Sequence, residues 1–210
     1  ASERSRCAKV GEEEMIQAAI ARGIDGLVFT DHHRLVPAGR LRDLNRRYAP
    51  FRTFCGVEIT VDEGEDLLVL GVNDPALESR DWTYPALYDL VREREGLLIL
   101  AHPFRFRDTI GLDLERFPPD AIEFRSKNTR ADDEARICHT AEQFGMRLIC
   151  TSDAHRIKHV GMYYSQLKRV PRDERDLLDI LRAGHHTCYS LETAEPIDYE
   201  IEPFSQLYQV

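Results

Sequence analysis

The sequence predicts an α/β fold with a parallel sheet and helices packed outside it, on the strength of three observations. Strand-like and helix-like segments alternate through most of the chain, as in βαβ architectures. Four short apolar runs have the length of strands buried on both faces. Each run ends on residues that can bind a metal ion: Asp31-His32-His33, Glu58, His102-Pro103 and Ser152-Asp153-Ala154-His155. Parallel α/β barrels build their sites from side chains at the C-terminal ends of several strands.

Five helices are predicted where apolar residues recur at helical spacing. The first carries four apolar residues on one face and is followed by Gly23, a common helix stop. Pro50, Gly145 and Gly184 follow three of the others. The predicted ranges are 12–22, 38–48, 83–95, 132–144 and 172–183.

Strands are predicted from short apolar runs at 24–30, 51–61, 67–72, 97–101, 121–124 and 147–151. The glycine and prolines of residues 104–120 indicate a long loop, of the kind that covers an active site. The tail, 186–202, alternates enough to form one or two strands. We therefore expect one metal-binding barrel over 1–185 and a C-terminal appendage, 186–210, packed on it.

Composition narrows the class of protein. The 210 residues are 42% hydrophobic and 31% charged, which suits one globular domain, and a net charge of -9 argues against a stable nucleic-acid partner. No apolar stretch approaches the roughly 18–20 residues of a membrane span. Five dispersed cysteines, odd in number and without a Cys-x-x-Cys pair, argue for a reducing compartment. The cytoplasm is the expected location.

Each polar cluster alone has a simpler explanation than metal binding. Asp31-His32-His33 could be a capping or turn cluster, Glu58 an edge carboxylate, and His102 a packed histidine. Asp153 and His155 are more specific, because residues two apart on an extended backbone share a face. If all four clusters had only these simpler explanations, four strand ends would have to bury polar groups without partners, which is costly in free energy. A shared cation removes that cost.

In order, Thr30-Asp31-His32, Gly56-Val57-Glu58, Ala101-His102-Pro103 and Ser152-Asp153-Ala154-His155 resemble the motifs of the polymerase and histidinol phosphatase (PHP) superfamily. The resemblance extends from about residue 10 to 165, and the segments 152–161 and 185–203 are similar to the C-terminal portion of bacterial stand-alone members. It implies a distorted seven-stranded (β/α) barrel of PHP type, two or three divalent metal ions (Mn, Zn or Fe) and phosphoester hydrolysis.

By motif match, the resemblance implies six metal ligands, with Glu58 as a bridge between two ions: His32, Glu58, His102, Glu123, Asp153 and His155. Asp31 would support the site without binding the metal. Asn128 is the alternative to Glu123 as the ligand from its strand, and simple surface exposure is an alternative for both.

The chain departs from the family at its start. Members open with a strand that ends in His-x-His, and this sequence contains no such pair. Either an upstream strand is missing or this is a divergent member without two ligands; we expect the first, because the helix at 12–22 otherwise has no strand to follow. Cys7 lies where a further ligand could come from, although a buried or incidental cysteine is the simpler interpretation.

The implied chemistry is in-line attack on phosphorus by a metal-activated water, without a protein nucleophile. His155 or His32 could protonate the leaving oxygen, and Arg105 follows His102 closely enough to contact a phosphate. A plain surface arginine is an equally simple interpretation of Arg105. The expected substrate is a phosphorylated small molecule or a short oligonucleotide.

Two other classes remain open at this point. Many amidohydrolases cut C–N bonds on similar barrels and bridge their metals with a carboxylated lysine. None of the four lysines (Lys9, Lys127, Lys158 and Lys168) directly ends an apolar run, whereas Glu58 does. The second alternative is a non-catalytic metal-binding module, supported by the missing His-x-His pair.

Overall fold

The computed structural model of the protein describes residues 1–79 and 81–191. The five predicted α-helices lie within these residues: α1 (Glu12–Ala21), α2 (Ala38–Arg47), α3 (Tyr84–Glu93), α4 (Glu134–Phe144) and α5 (Glu174–Arg182). Gly145 ends α4 at φ 68°, a left-handed conformation that glycine adopts without steric cost. No helix of this described part is long and apolar enough to cross a membrane.

The described strands are β1 (Gly26–Phe29), β2 (Arg52–Thr60), β3 (Asp66–Leu70), β4 (Leu97–Leu100), β5 (Ala121–Arg125), β6 (Arg147–Cys150), β7 (Tyr163–Leu167) and β8 (His186–Ser190). The first six form one curled sheet in chain order, with β1 and β6 at its edges. β7 and β8 form a separate antiparallel pair, in which Tyr163 lies opposite Ser190. The architecture is thus an α/β half-barrel of six strands, which confirms the predicted fold class.

The sheet is mixed, and the expectation of a parallel sheet is wrong for β3. This strand runs antiparallel to both β2 and β4. The connection at 61–65 is a tight turn, and only antiparallel neighbours can be joined by so short a link. Because β3 is antiparallel to both of its neighbours, β2 and β4 are parallel to each other. Their C-terminal ends therefore lie at the same edge of the sheet as those of β1, β5 and β6.

β7 was absent from the predicted strands. Its residues are mostly half-buried and form no apolar run, so the pattern that predicts buried strands does not apply to it. β8 falls at the start of the predicted tail strands, and the rest of that tail, like most of the predicted appendage, lies outside the described residues.

The core has two parts, one on each face of the sheet. Alternate residues of β4 point to opposite faces: Leu98 and Leu100 join the larger cluster beneath the helices, while Leu97 and Ile99 pack in the smaller cluster that includes residues of α5. Arg182 of α5 donates to the backbone oxygens of Glu95 and Gly96, just before β4. α5 thus packs at the N-terminal ends of the strands, which leaves the opposite edge for a site.

Candidate metal centre

The predicted ligand segments meet at the C-terminal edge of the sheet. His32 follows β1 and forms a parallel bridge with Glu58 in β2. His102 follows β4 and Asp153 follows β6. One cavity of about 900 Å³ is lined by all six predicted ligands: His32, Glu58, His102, Glu123, Asp153 and His155. Asp31 also lines this cavity, whereas Arg105 is not among its lining residues.

Glu58 lies between two imidazoles. Its Oε1 atom is 3.2 Å from Nε2 of His102, and its Oε2 atom is 3.4 Å from Nε2 of His32. Glu58 and His102 are buried, and His32 is half-buried. Ligands held tetrahedrally about 2.0–2.2 Å from an ion stand about 3.3–3.6 Å apart, so this spacing suits shared coordination. Each carboxylate oxygen faces a different imidazole, which is the arrangement expected of a bridging carboxylate.

Glu123 is 1% exposed, so surface exposure is the wrong interpretation of this residue. Its Oε2 atom accepts from the backbone N–H of His102 at 2.8 Å, and its Oε1 atom accepts from the Thr151 hydroxyl at 2.5 Å. Burial raises the pKa of Glu123 to about 7, with a further rise from Asp153, although His102 lowers it. The carboxylate therefore holds the loop after β4 and also lies where a cation would favour its ionised form.

His102 is held as a cation by its acidic neighbours. Burial lowers the pKa of its imidazole, but the hydrogen bond to Glu58 and the charges of Glu123 and Asp153 outweigh burial and raise the pKa to about 9. A buried imidazolium surrounded by three carboxylates marks a location where positive charge is stabilised. A divalent ion would serve the same role with a larger charge.

Asp153 and His155 are positioned by local hydrogen bonds. Nδ1 of His155 lies 3.1 Å from the backbone oxygen of Asp153 and 3.4 Å from its Oδ1 atom. Donation by Nδ1–H leaves the lone pair on Nε2, the tautomer that a metal ligand needs. Asn128 is half-buried and donates its side-chain N–H to Oδ2 of Asp153. The structure thus places Asn128 beside a predicted ligand.

Two of the predicted ligands have strained backbone conformations. His102 has φ 25° and Asp153 has φ 44°, values that residues with a side chain rarely adopt. Each such residue costs on the order of 1–3 kcal/mol, and such strain commonly occurs at functional sites. His33 is also strained, at φ 50°, but it is structural: its Nδ1 atom contacts the Ser79 backbone oxygen at 2.8 Å, and its Nε2 atom accepts from Thr60 N–H.

The six predicted ligands omit two residues that lie close to them, Asp66 and Cys7. Asp66 begins β3, and one ligand atom each from His32, Glu58 and Asp66 lie within 4.8 Å of one another. Cys7 forms a second such group with His32 and His155. Cys7 is exposed, so the interpretation as a buried cysteine is wrong. The acidic turn before Asp66 was the feature of the sequence that could have drawn attention to this residue. That Asp66 lies near the ligands depends on the register of β3 against β2, which the turn does not reveal.

The remaining predicted residues lie at the margin of the centre. Asp31 is buried; its Oδ1 atom contacts the amino group of Ala1, and its Oδ2 atom has no hydrogen-bond partner among the described residues. Arg105 is exposed, with Nη1 3.5 Å from Nε2 of His102 and its guanidinium 4.8 Å from the Phe106 ring centre. Arg105 can therefore reach a ligand anion above His102.

Two comparisons address the family to which this fold belongs. Residues 127–185 match the protein-family model described as PHP-associated. The structure is similar to a two-domain protein from Bacteroides vulgatus that contains a "predicted PHP-like metal-dependent phosphoesterase", with a TM-score of 0.66 and 15% identity over 89% of this chain and 62% of that one. The chain shares its fold with this protein, which contains a PHP-like domain. No curated protein matches it.

Two other solved structures are similar in fold to this chain. PsfC from Pseudomonas syringae gives a TM-score of 0.61 at 19% identity and covers 79% of this chain and 78% of its own. An amidohydrolase from Chromobacterium violaceum, with bound sulfate and no metal, gives a TM-score of 0.56 at 16% identity. The alignment covers 74% of this chain and 85% of that one. Identities this low show a common fold, so the chemistry must be argued from the residues of this chain.

The donor set fits divalent metal ions. Imidazole and carboxylate groups are protein ligands of zinc, manganese and iron, and the group of His32, Glu58 and Asp66 offers both, whereas that of Cys7, His32 and His155 offers thiolate and imidazole. The buried and unpartnered Oδ2 atom of Asp31 lines the same cavity. Among the described residues, no lysine lines the cavity, so a carboxylated-lysine bridge has no candidate there.

Proposed function

We propose that this chain is a metal-dependent phosphoesterase that cleaves phosphoesters with a metal-activated water. The observation that carries the proposal is the convergence of six side chains, from five strand ends, in one cavity. Bound divalent ions supply a water of lowered pKa and offset the charge of the phosphoryl oxygens. His32, Glu58, His102, Glu123, Asp153 and His155 would hold two or three such ions, of Mn, Zn or Fe.

The protein groups have distinct tasks in this proposal. Glu58 would bridge, because its two oxygens face different imidazoles. With Nδ1–H donated to Asp153, the Nε2 lone pair of His155 could bind an ion; protonated at both nitrogens instead, His155 could pass the Nε2 proton to the leaving oxygen. Arg105 is exposed beside His102 and would contact a phosphate oxygen with its guanidinium fork. The substrate we propose is a phosphorylated small molecule or a short oligonucleotide.

Amide hydrolysis is the second candidate, since one structure of similar fold is described as an amidohydrolase. The absence of a lysine among the described lining residues disfavours the bridged form of that chemistry. A non-catalytic metal-binding module is the third candidate. The assays below separate all three.

The test measures hydrolysis of p-nitrophenyl phosphate, bis(p-nitrophenyl) phosphate and an anilide by the metal-stripped chain, with and without Mn²⁺. We expect Mn²⁺-dependent release of p-nitrophenol from a phosphate ester and none of the aniline. His102→Ala and Asp153→Ala should abolish it. His185→Ala and Asp132→Ala, on exposed residues away from the cavity, are matched controls and should retain it.

Three outcomes would contradict the proposal in different ways. Anilide hydrolysis alone would support the amidohydrolase class. Stoichiometric metal binding without turnover of any ester would support the non-catalytic module. Turnover that survives both His102→Ala and Asp153→Ala would place the activity outside this cavity.

A further inference from the structure

Asp66 lies at the edge of the metal centre although no predicted motif contains it. It begins β3, opposite Thr60 in the antiparallel register with β2. The residue is 9% exposed. Its Oδ1 atom accepts from the Thr60 hydroxyl at 2.5 Å, and its Oδ2 atom is 3.7 Å from Nε2 of His102. The hydroxyl thus fixes the carboxylate with its second oxygen toward the imidazole of a predicted ligand.

The same carboxylate meets two other predicted ligands. One atom each from Asp66, Glu58 and His32 lie within 4.8 Å of one another. These residues come from β3, β2 and the segment after β1, so three separate stretches of backbone bring them together. A divalent ion bound to all three would need only the small side-chain movements that ion binding commonly causes.

The charge balance of this corner requires a cation. Glu58 and Asp66 are both buried carboxylates, and within the described chain no lysine or arginine forms an ion pair with either. His102 lies close to both carboxylates, and His32 lies 3.4 Å from a carboxylate oxygen of Glu58. Two buried carboxylates with no lysine or arginine paired to them among the described residues are costly in a desolvated location. A bound divalent cation removes this cost.

We propose that Asp66 is a metal ligand and that Asp66, Glu58 and His32 hold one divalent cation. Two carboxylates and one imidazole make this position richer in oxygen than the one formed by Cys7, His32 and His155. Oxygen-rich sites suit Mn²⁺, whereas thiolate favours Zn²⁺. The inference deepens the proposed phosphoesterase function and rests on it, because it adds a ligand and a metal preference to the same centre.

The experiment is a titration of Mn²⁺ into the metal-stripped chain, followed by calorimetry and by the Mn²⁺ electron paramagnetic resonance signal. Asp66→Asn keeps the size of the side chain and an oxygen for the Thr60 hydroxyl, but it removes the charge. We expect its Mn²⁺ affinity to fall at least about tenfold. Asp62→Asn, on an exposed residue of the same turn, is the matched control and should bind as the parent does.

A second measurement, on the unsubstituted chain, tests ligation by Asp66 without relying on the folding of the variant. Mg²⁺, which is diamagnetic and prefers oxygen ligands, should shift the ¹³Cγ resonance of Asp66 and leave that of Asp62 unchanged. Unchanged Mn²⁺ affinity in Asp66→Asn, or an unshifted Asp66 resonance at saturating Mg²⁺, overturns ligation by Asp66 and leaves the phosphoesterase proposal standing. If the parent chain binds neither ion and hydrolyses no ester, both proposals fail.

Discussion

Nε2 of His102 lies 3.2 Å from Oε1 of Glu58, although the two residues are 44 positions apart and their strands are separated by β3. The contact exists because β3 runs antiparallel to both neighbours, which returns β4 to the direction of β2. It places a buried imidazole against the carboxylate that we propose as a bridging ligand. The first prediction follows from the protonation of this pair.

Metal affinity should rise with pH. The pKa of His102 is about 9, above its ordinary value of 6.5, so the metal-free centre carries a proton on this imidazole at neutral pH. An ion must displace that proton, and apparent Mn²⁺ affinity should increase by up to about tenfold per unit from pH 7 to 9, then level off. Calorimetry in buffers of different ionisation enthalpy measures the proton released. His102→Gln should flatten the dependence; an equally steep slope in that variant would assign the proton to another group.

The metal-free protein should show the opposite trend in stability. A folded-state pKa above the unfolded value means that the stabilisation is complete below about pH 6.5 and is lost as pH rises through about 9. Urea unfolding of the stripped chain at pH 6, 7.5 and 9 measures this loss, with His102→Gln as the comparison. Stability of the parent that rises across this range relative to the variant would contradict the assignment.

Zinc should protect Cys7 from alkylation. Cys7 is exposed while the other four cysteines are buried, so iodoacetamide should modify it first. Because a ligand atom of Cys7 lies within 4.8 Å of those of His32 and His155, bound Zn²⁺ should slow the reaction at least about tenfold, and Mn²⁺ should slow it much less. Mass spectrometry of the alkylated chain gives the rates. His155→Ala should remove most of the protection, and equal protection by the two ions would argue against a thiolate ligand.

Arg105 should contribute to phosphate binding through the shape of its guanidinium as well as its charge. Arg105→Ala should lower kcat/KM for the ester about 10- to 100-fold, or about 1.4–2.7 kcal/mol, and Arg105→Lys should recover only part of it. Steady-state kinetics with the aryl phosphate gives both values. Arg116→Ala removes an exposed arginine from the same loop and serves as the control. Full recovery by lysine would reduce the role of Arg105 to charge alone.

Glu12 should stabilise the N-terminal segment that carries Cys7. It is completely buried, accepts from Arg40 Nε at 2.7 Å and also pairs with Arg4. Glu12→Gln removes the counter-charge of Arg4 and leaves Arg40 paired with Glu13 alone, so it should lower the free energy of unfolding by about 3 kcal/mol. Urea denaturation measures the change, and Glu142→Gln, at an exposed position of α4, should alter the free energy of unfolding by no more than about 0.5 kcal/mol. A decrease of less than about 1 kcal/mol in the free energy of unfolding would show that solvent already stabilises the charges of Arg4 and Arg40.

The helices and most strands of this protein could be predicted from local patterns, because burial imposes a period on the residues that form them. The ligand segments could be located for a related reason. A polar residue directly after a buried apolar run, such as Glu58 or His102, has few explanations other than a shared partner at the strand end. β7 could not be predicted, since its half-buried residues carry no such signal.

Local sequence by itself determined the helices, most of the strands and most of the side chains with metal-binding chemistry. The tertiary structure decided which of those side chains meet. The antiparallel course of β3 brings Asp66 beside Glu58, and the packing of the first residues brings exposed Cys7 beside His32. Both contacts depend on register and on approach between segments that are far apart in the chain. Neither leaves a periodic signature in the residues themselves, so only the assembled sheet reveals them.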